Sequence, residues 1–266
     1  MDQTPKSLIL YECSDRIATI TLNKPERPNA FDDDMVRQLM AALRRFDMDD
    51  DAWTAIICGN GRAFTSGADV KVRQARPRED LKRTGGASAQ DAKSSDIFAR
   101  SINWKPVISA VHGYALGLGI TLAFDADMCV ADTTAKFQIT ETPRGLASSG
   151  KLINVMSYRG LGSFAVDVSI TGRFFTAEEA HKAGVIDRLA PEGKHIEVAR
   201  ELAQTINKNP PLAVRACIAQ RRWELEDRKA QALRYASLNK LYLSEDFAEA
   251  ARAFVEKRPP KPFNAR

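Results

Sequence analysis

The sequence predicts an α/β core followed by a helical C-terminal arm. Three patterns point there. Short β-branched segments alternate with amphipathic helical ones in the first half, two of those segments run directly into glycine-rich turns, and helical periodicity dominates 212–257 with little interruption. A chain of 266 residues, 44% apolar and 27% charged, can bury a large core and sits near the size at which single cores begin to divide. The expected division is a main unit over residues 1–200 and a helical region over 201–266 that packs against a neighbouring subunit.

The elements follow in order. "RIATITLN" sets Ile17, Thr19 and Thr21 against Ala18, Ile20 and Leu22, the alternation of a strand buried mainly on one face. The two prolines of "KPERPNAF" forbid helix and central strand alike. In "DDDMVRQLMAALRRFD", Met35, Leu39, Leu43 and Phe46 share one helical face, and Asp32, Asp33 and Asp34 stand at the positive end of the helix dipole. "WTAIICG", "KPVISAV" and "DMCVAD" read as buried strands rich in β-branched residues. Residues 74–95 carry little apolar content and predict a mobile loop before a helix near 96–103. "TAEEAHKAG" carries a capping box in Thr176 and Glu179, with Gly184 as the left-handed stop. "HIEVARELAQTINKN" predicts a helix with Ile196, Ala199, Leu202, Ala203 and Ile206 on its apolar side.

Several function classes are set aside by what the chain lacks. No apolar run approaches the ~20 residues that span a bilayer, and the start "MDQTPKSLILYE" has no basic segment followed by a long apolar one, so a cytoplasmic protein is expected. Cysteines at 13, 58, 129 and 217 form no CxxC pair and no zinc-like spacing, which suits free thiols in a reducing compartment. The net charge of +5 gathers in 71–83 and 256–266 without the interleaved aromatics that stack on nucleic acid, so no nucleic-acid partner is expected. "GLASSGKL" imitates a phosphate loop, but Leu152 replaces the hydroxyl residue that would hold magnesium. No G-x-S-x-G elbow is present, and His112, His181 and His195 have no metal-ligand spacing, so no metal is expected; His112 reads as a packed strand-end residue.

Two segments share a design that needs explaining. "GNGRAFTSGADV" (59–70) and "HGYALGLG" (112–119) each follow a strand with glycines and then open a helix. Each interior glycine costs a helix roughly 1 kcal/mol relative to alanine, so exposed backbone must bring a gain there. Two such turns can aim two N–H donors at one point, the arrangement that stabilises an oxyanion. A tight strand-to-helix turn kept for the fold alone accounts for the same spacing. The proton-transfer candidate is Glu141 in "KFQITETPRG", on an extended polar stretch past a strand, although a lone loop glutamate is as a rule solvated surface.

Taken together, "NKPERPNAF", "GRAFTSGADV", "KPVISAVHGYALGLG", "TGRFFTAEEAHKAGVIDRLAP" and "FVEKRPPKPF" resemble the enoyl-CoA hydratase/isomerase family, or crotonase superfamily, in the family's order from about Arg16 to Phe263. The resemblance implies a crotonase-like spiral of ββα units with a helical C-terminal region that supports trimers, often paired as hexamers, and completes the coenzyme A site. It implies an acyl-CoA thioester substrate, coenzyme A entering as part of that substrate, and no permanently bound cofactor. By motif position the oxyanion-hole amides fall on Ala68 and Leu118, the latter in place of the more usual glycine. Coenzyme A contacts fall around Asn29 and Ala30, and around Ala68, Asp69 and Val70, with Gly117 in the second turn. Arg62 and Lys71 become phosphate partners, and Phe254 and Lys257 match tail positions that touch the coenzyme of an adjacent subunit.

The catalytic positions depart from the usual pattern. Of the two glutamates that typical hydratases use, the second falls on Glu141 and the first on Thr121. A threonine hydroxyl can hold a water or a carbonyl, but it is far too weak an acid to replace a carboxyl group near neutrality. One carboxylate suits a double-bond isomerase; it also suits hydratase or hydratase-lyase members, including those acting on aromatic acyl-CoAs. Hydrolase or decarboxylase chemistry, and a non-catalytic CoA- or RNA-binding member, are the alternatives.

Overall fold

The computed structural model describes residues 7–73, 75, 77–84, 97, 104–147, 151–236 and 240–266. Along them run strands β1 (Ile9–Ser14), β2 (Ile17–Leu22), β3 (Thr54–Gly59), β4 (Val107–Val111), β5 (Tyr114–Leu116), β6 (Met128–Asp132), β7 (Lys136–Gln138), β8 (Phe174–Thr176) and β9 (Arg188–Ala190). The helices are α1 (Asp33–Met48), α2 (Val70–Arg73), α3 (Arg78–Thr84), α4 (Leu118–Asp125), α5 (Lys151–Arg159), α6 (Gly162–Thr171), α7 (Ala177–Lys182), α8 (His195–Asn207), α9 (Pro211–Ala236) and α10 (Glu245–Glu256). One sheet has the order β1-β2-β3-β4-β6-β9, antiparallel between β1 and β2 and parallel thereafter; a smaller one has the order β5-β7-β8.

Strand alternation decides how the layers stack. Ile56 and Cys58 of β3 join Ile17, Ile108, Ala110 and Val130 on the face covered by Ala199 and Ala203 of α8. Their neighbours Ala55, Ile57, Val107, Val111, Cys129 and Ala131 face the larger core with Met35, Leu39, Leu43 and Phe46 of α1. Within that core Phe124 of α4, Phe137 of β7 and Phe175 of β8 stack at centroid distances of 5.5 and 5.3 Å, which ties α4 to the small sheet. The N-terminus of α1 is closed by Asp32, whose carboxylate accepts the Met35 N–H at 2.9 Å and the Lys24 ammonium at 2.6 Å.

Two expectations are corrected and a third falls outside the described residues. Residues 78–84, read as loop, are α3: Glu79 and Asp80 in its first turn and Lys82 and Arg83 in its last complement the dipole, while Leu81 alone supplies a fully buried apolar anchor. The helix expected near 96–103 lies, apart from the buried Ile97, outside the described residues. On α8 the buried line starts at His195 and continues through Ala199 and Ala203, with Val198, Leu202 and Ile206 flanking it; Ile196 is turned outward. The helical tail is present as α9, a short 3₁₀ turn at Leu241–Leu243, and α10. Arg221 and Arg222 of α9 grip the buried Asp127, and Lys229 meets Asp125 at the end of α4 at 2.9 Å. Among the described residues no helix is long and apolar enough to cross a membrane.

Candidate active site

The loop after β3 is threaded between two neighbours. Phe64 N–H donates to His112 O at 2.9 Å, Thr65 N–H to Tyr114 O at 2.9 Å, and Leu116 N–H returns to Thr65 O at 3.1 Å. On the other side Phe31 N–H donates to Gly67 O at 2.8 Å and Asp69 N–H to Phe31 O at 2.8 Å. Between them, the Ala68 N–H has no acceptor among the described residues. That is the expected consequence of a strand-like segment paired along one edge only.

The second turn meets the first at a glycine. A Cβ on Gly67 would lie 2.3 Å from Leu116 O and 3.4 Å from Leu118 N, so only a glycine lets the two segments approach this closely. Leu118 opens α4, its N–H has no acceptor among the described residues, and it does not need a positive φ, so leucine stands there without strain. Gly117 before it does need one, at φ 51° and ψ −113°. A Cβ on Gly117 would lie 2.6 Å from Thr140 Oγ1 and 3.4 Å from Glu141 Oε1. The two turns and Glu141 are therefore brought to one place.

Glu141 is not on an extended stretch, as expected, but in a helical conformation (φ −66°, ψ −51°) that opens the 3₁₀ turn Thr142–Arg144. Its carbonyl takes the N–H groups of Arg144 and Leu146, Thr142 Oγ1 donates to Ser169 O at 2.6 Å, and the turn is wedged between Pro143 against Gly172 and Gly145 against the Phe247 backbone. The residue is half-buried, while its Oε2 has no solvent contact and, among the described residues, no hydrogen-bond partner. Burial pushes its carboxyl above the usual carboxylate range, and the Arg144 guanidinium opposes that shift. Arg144 is held below the ordinary arginine range by its own desolvation, with Glu141 acting the other way. Thr121 lies one helical turn after Gly117 on α4, half-buried, and its hydroxyl has no partner among the described residues.

The remaining candidates divide by position. Asn29 and Ala30 adjoin Ala68, Asp69 and Val70 through the Phe31–Ala68 bridge. The Asn29 side chain is fully buried, donating to the carbonyls of Asn60, Ala63 and Phe64, so it shapes the loop from within. Asp69 caps α2 through Lys71 N–H and Val72 N–H and pairs with Arg27 at 3.2 Å. Val70 is buried and Lys71 exposed. Phe254 of α10 stacks on Arg144 at 4.1 Å, close to Glu141 in the same chain. Arg62 and Lys257 are exposed. His112, at the end of β4, stacks on His195 at 4.6 Å and faces Gly61 O at 2.9 Å, bracing the loop that carries Arg62. Thr140 and Arg144 were not singled out from sequence; the proline and glycine flanking Arg144 were the available signal of a rigid turn.

The profile of the enoyl-CoA hydratase/isomerase family matches residues 12–265. The chain belongs to that family. Among curated relatives it is 34% identical over 249 residues to enoyl-CoA hydratase EchA19 of Mycobacterium tuberculosis, covering 91% of each chain. It is 31% identical over 250 residues to mevalonyl-coenzyme A hydratase sidH of Aspergillus fumigatus, covering 92% of this chain and 90% of that one. Among solved structures, carnitinyl-CoA hydratase from Mycobacterium avium superposes with a TM-score of 0.81 at 28% identity over 98% of this chain and all 100% of that one. The fold is the crotonase fold, and the protein is an enzyme of the enoyl-CoA hydratase/isomerase type acting on acyl-CoA thioesters.

Proposed function

We propose that this enzyme moves a proton on an enoyl-CoA thioester through an enolate, with Glu141 as its single carboxylate acid/base, and that double-bond isomerisation is the outcome it favours. One observation carries the proposal: a carboxylate oxygen sealed from solvent and without a hydrogen bond, beside the glycine turn that leads to the unpaired Leu118 N–H. With a 3-enoyl thioester, Glu141 takes a proton from the carbon next to the thioester. The electron pair moves onto the thioester oxygen, where the Ala68 and Leu118 N–H groups hold it. Each such donor is worth about 2.7–4 kcal/mol in enzymes where one has been removed. The proton then returns from Glu141 to the far carbon of the allyl system, leaving the conjugated 2-enoyl thioester. A carboxyl whose proton affinity burial has raised suits both halves of that transfer.

Coenzyme A enters as part of the substrate, against Asn29, Ala30 and Asp69–Lys71 with Arg62 nearby, and no permanently bound cofactor takes part. Thr121 shapes the pocket or holds a water. Hydration is the second reading, favoured by relatives named as hydratases. Assembly as a trimer or hexamer is supported by the exposed apolar side chains of Tyr114, Leu161, Val166, Ile170 and Phe174, and a cytoplasmic setting by four unpaired cysteines. Absorbance of the conjugated thioester, followed with 3-enoyl-CoA and 2-enoyl-CoA, tests the chemistry: a rise with the former that Glu141→Gln abolishes supports isomerisation, and a fall with the latter supports hydration. Full turnover in Glu141→Gln overturns the assignment of the base.

A further inference from the structure

We propose that Arg144 is an anion receptor at the acyl end of the site, so that the preferred acyl groups carry a carboxylate beyond the reacting carbons. The proposal rests on the reading of Glu141 given above. Arg144 stands three residues past Glu141, half-buried, with one face of its guanidinium against the Phe254 ring at 4.1 Å. Among the described residues none of its guanidinium N–H donors has an acceptor, and the side chain joins no ion pair, Glu141 included. Among the described residues several other sheltered arginines are engaged: Arg159 on the carbonyls of Ala126 and Val185 and on Asp187, Arg221 and Arg222 on Asp127, and Arg258 on Glu249, whereas Arg215, over the Trp104 ring, also has a buried Nε without a partner. A guanidinium partly withdrawn from water with no protein acceptor carries a desolvation cost, and a ligand carboxylate offsets it through two parallel N–H···O bonds.

The order of contacts places the anion. Asn29, Ala30 and Ala68–Lys71, where the coenzyme is assigned, lie on the Gly67 side of the paired amides, and Glu141 and Arg144 lie on the Gly117 side. A thioester anchored between Ala68 and Leu118 with its coenzyme on the first side sends its acyl chain toward the second. Phe254 covers one face of the guanidinium and leaves its edge, which matches a planar carboxylate.

The test compares 2-enoyl-CoA and 3-enoyl-CoA esters of matched length that end in a carboxylate or in a methyl group. The wild-type enzyme is expected to show at least a tenfold higher kcat/KM for the carboxylate ester, through KM. Arg144→Met is expected to lower that ratio tenfold or more, and Arg144→Lys to restore part of it. A wild-type ratio near one, or a ratio unchanged in Arg144→Met, overturns the proposal; so does an equal loss of affinity for both esters and for free coenzyme A, which would assign the guanidinium to the coenzyme phosphates. Calorimetric binding of the saturated carboxylate-ended and methyl-ended acyl-CoAs to wild-type protein reads the same preference without turnover. Silence in every kinetic assay with that preference intact counts against Glu141 chemistry and for the anion site.

Discussion

Alanine at Gly117 introduces two separable costs at the point where the turns and Glu141 meet. The first is conformational: at φ 51° and ψ −113° a residue with a Cβ is strained by about 1–3 kcal/mol. The second is collision, because the new Cβ would sit 2.6 Å from Thr140 Oγ1 and 3.4 Å from Glu141 Oε1, where overpacking typically costs about 1–3 kcal/mol. A combined loss of about 3 kcal/mol corresponds to a fall of roughly 6–12 °C in melting temperature at about 2–4 °C per kcal/mol. Gly193→Ala is the comparison without a collision, since Gly193 also has a positive φ (73°) but, among the described residues, no atom within 4 Å of its would-be Cβ. The expected order by thermal unfolding is wild type above Gly193→Ala above Gly117→Ala. Turnover in Gly117→Ala should fall as well, because displacing Glu141 by about 1 Å can cost on the order of 10²-fold. If Gly117→Ala melts with Gly193→Ala and keeps wild-type turnover, the glycine does not hold Glu141 in place and the reasoning fails.

Glu141→Gln should lower turnover by roughly 10²–10⁴-fold, the usual contribution of a general acid/base, and should also change how stability depends on pH. Burial raises the folded-state pKa of Glu141, so its penalty is absent below the unfolded value of about 4.3, grows as pH rises toward the folded value, and is complete above it, at about 1.4 kcal/mol for each unit of that window. Melting of wild type against Glu141→Gln should accordingly diverge in the variant's favour as pH rises from 4, and parallel curves would refute a carboxyl whose burial outweighs its favourable contacts. Thr121→Ala should cost less than tenfold in turnover, since its hydroxyl has no partner among the described residues and cannot act as an acid; a loss as large as that of Glu141→Gln would return Thr121 to the proton-transfer step. Phe137→Ala, which empties the middle of the Phe124–Phe137–Phe175 stack, should destabilise by about 3–5 kcal/mol in denaturant titration, and a loss under about 1 kcal/mol would mean that the stack does not tie α4 to the small sheet.

What could be seen in the sequence depended on length and periodicity. The strands β2, β3, β4 and β6 run for five or six residues and alternate or fill with β-branched side chains, and the Thr176–Glu179 capping box is fully formed. The strand β1 escaped notice because its hairpin turn is Asp15–Arg16, both at positive φ (54° and 64°) with no glycine to announce them. Strands β5, β7, β8 and β9 are three residues long, too short for any period to show. At the site, the two glycine turns were legible as exposed backbone, but Glu141 looked like any loop glutamate. Its surroundings are supplied by elements distant in the chain, the Gly117 turn against Thr140 and Glu141 and the α10 backbone against Gly145, and no local pattern encodes that. Arg144 was missed for the same reason: three residues of sequence do not reveal that Phe254, from the last helix, covers it.

The packing of α10 on Gly145 has a bearing on the order in which the chain matures. The turn that fixes Glu141 is locked by the Phe247 backbone, about a hundred residues further along. During synthesis, every group assigned here to proton transfer and to the oxyanion leaves the ribosome before the helix that holds the base in place. A nascent chain stopped short of α10 would thus carry all of its chemistry without a seated Glu141, and the enzyme would acquire its activity in a single late step, when its own last helix docks.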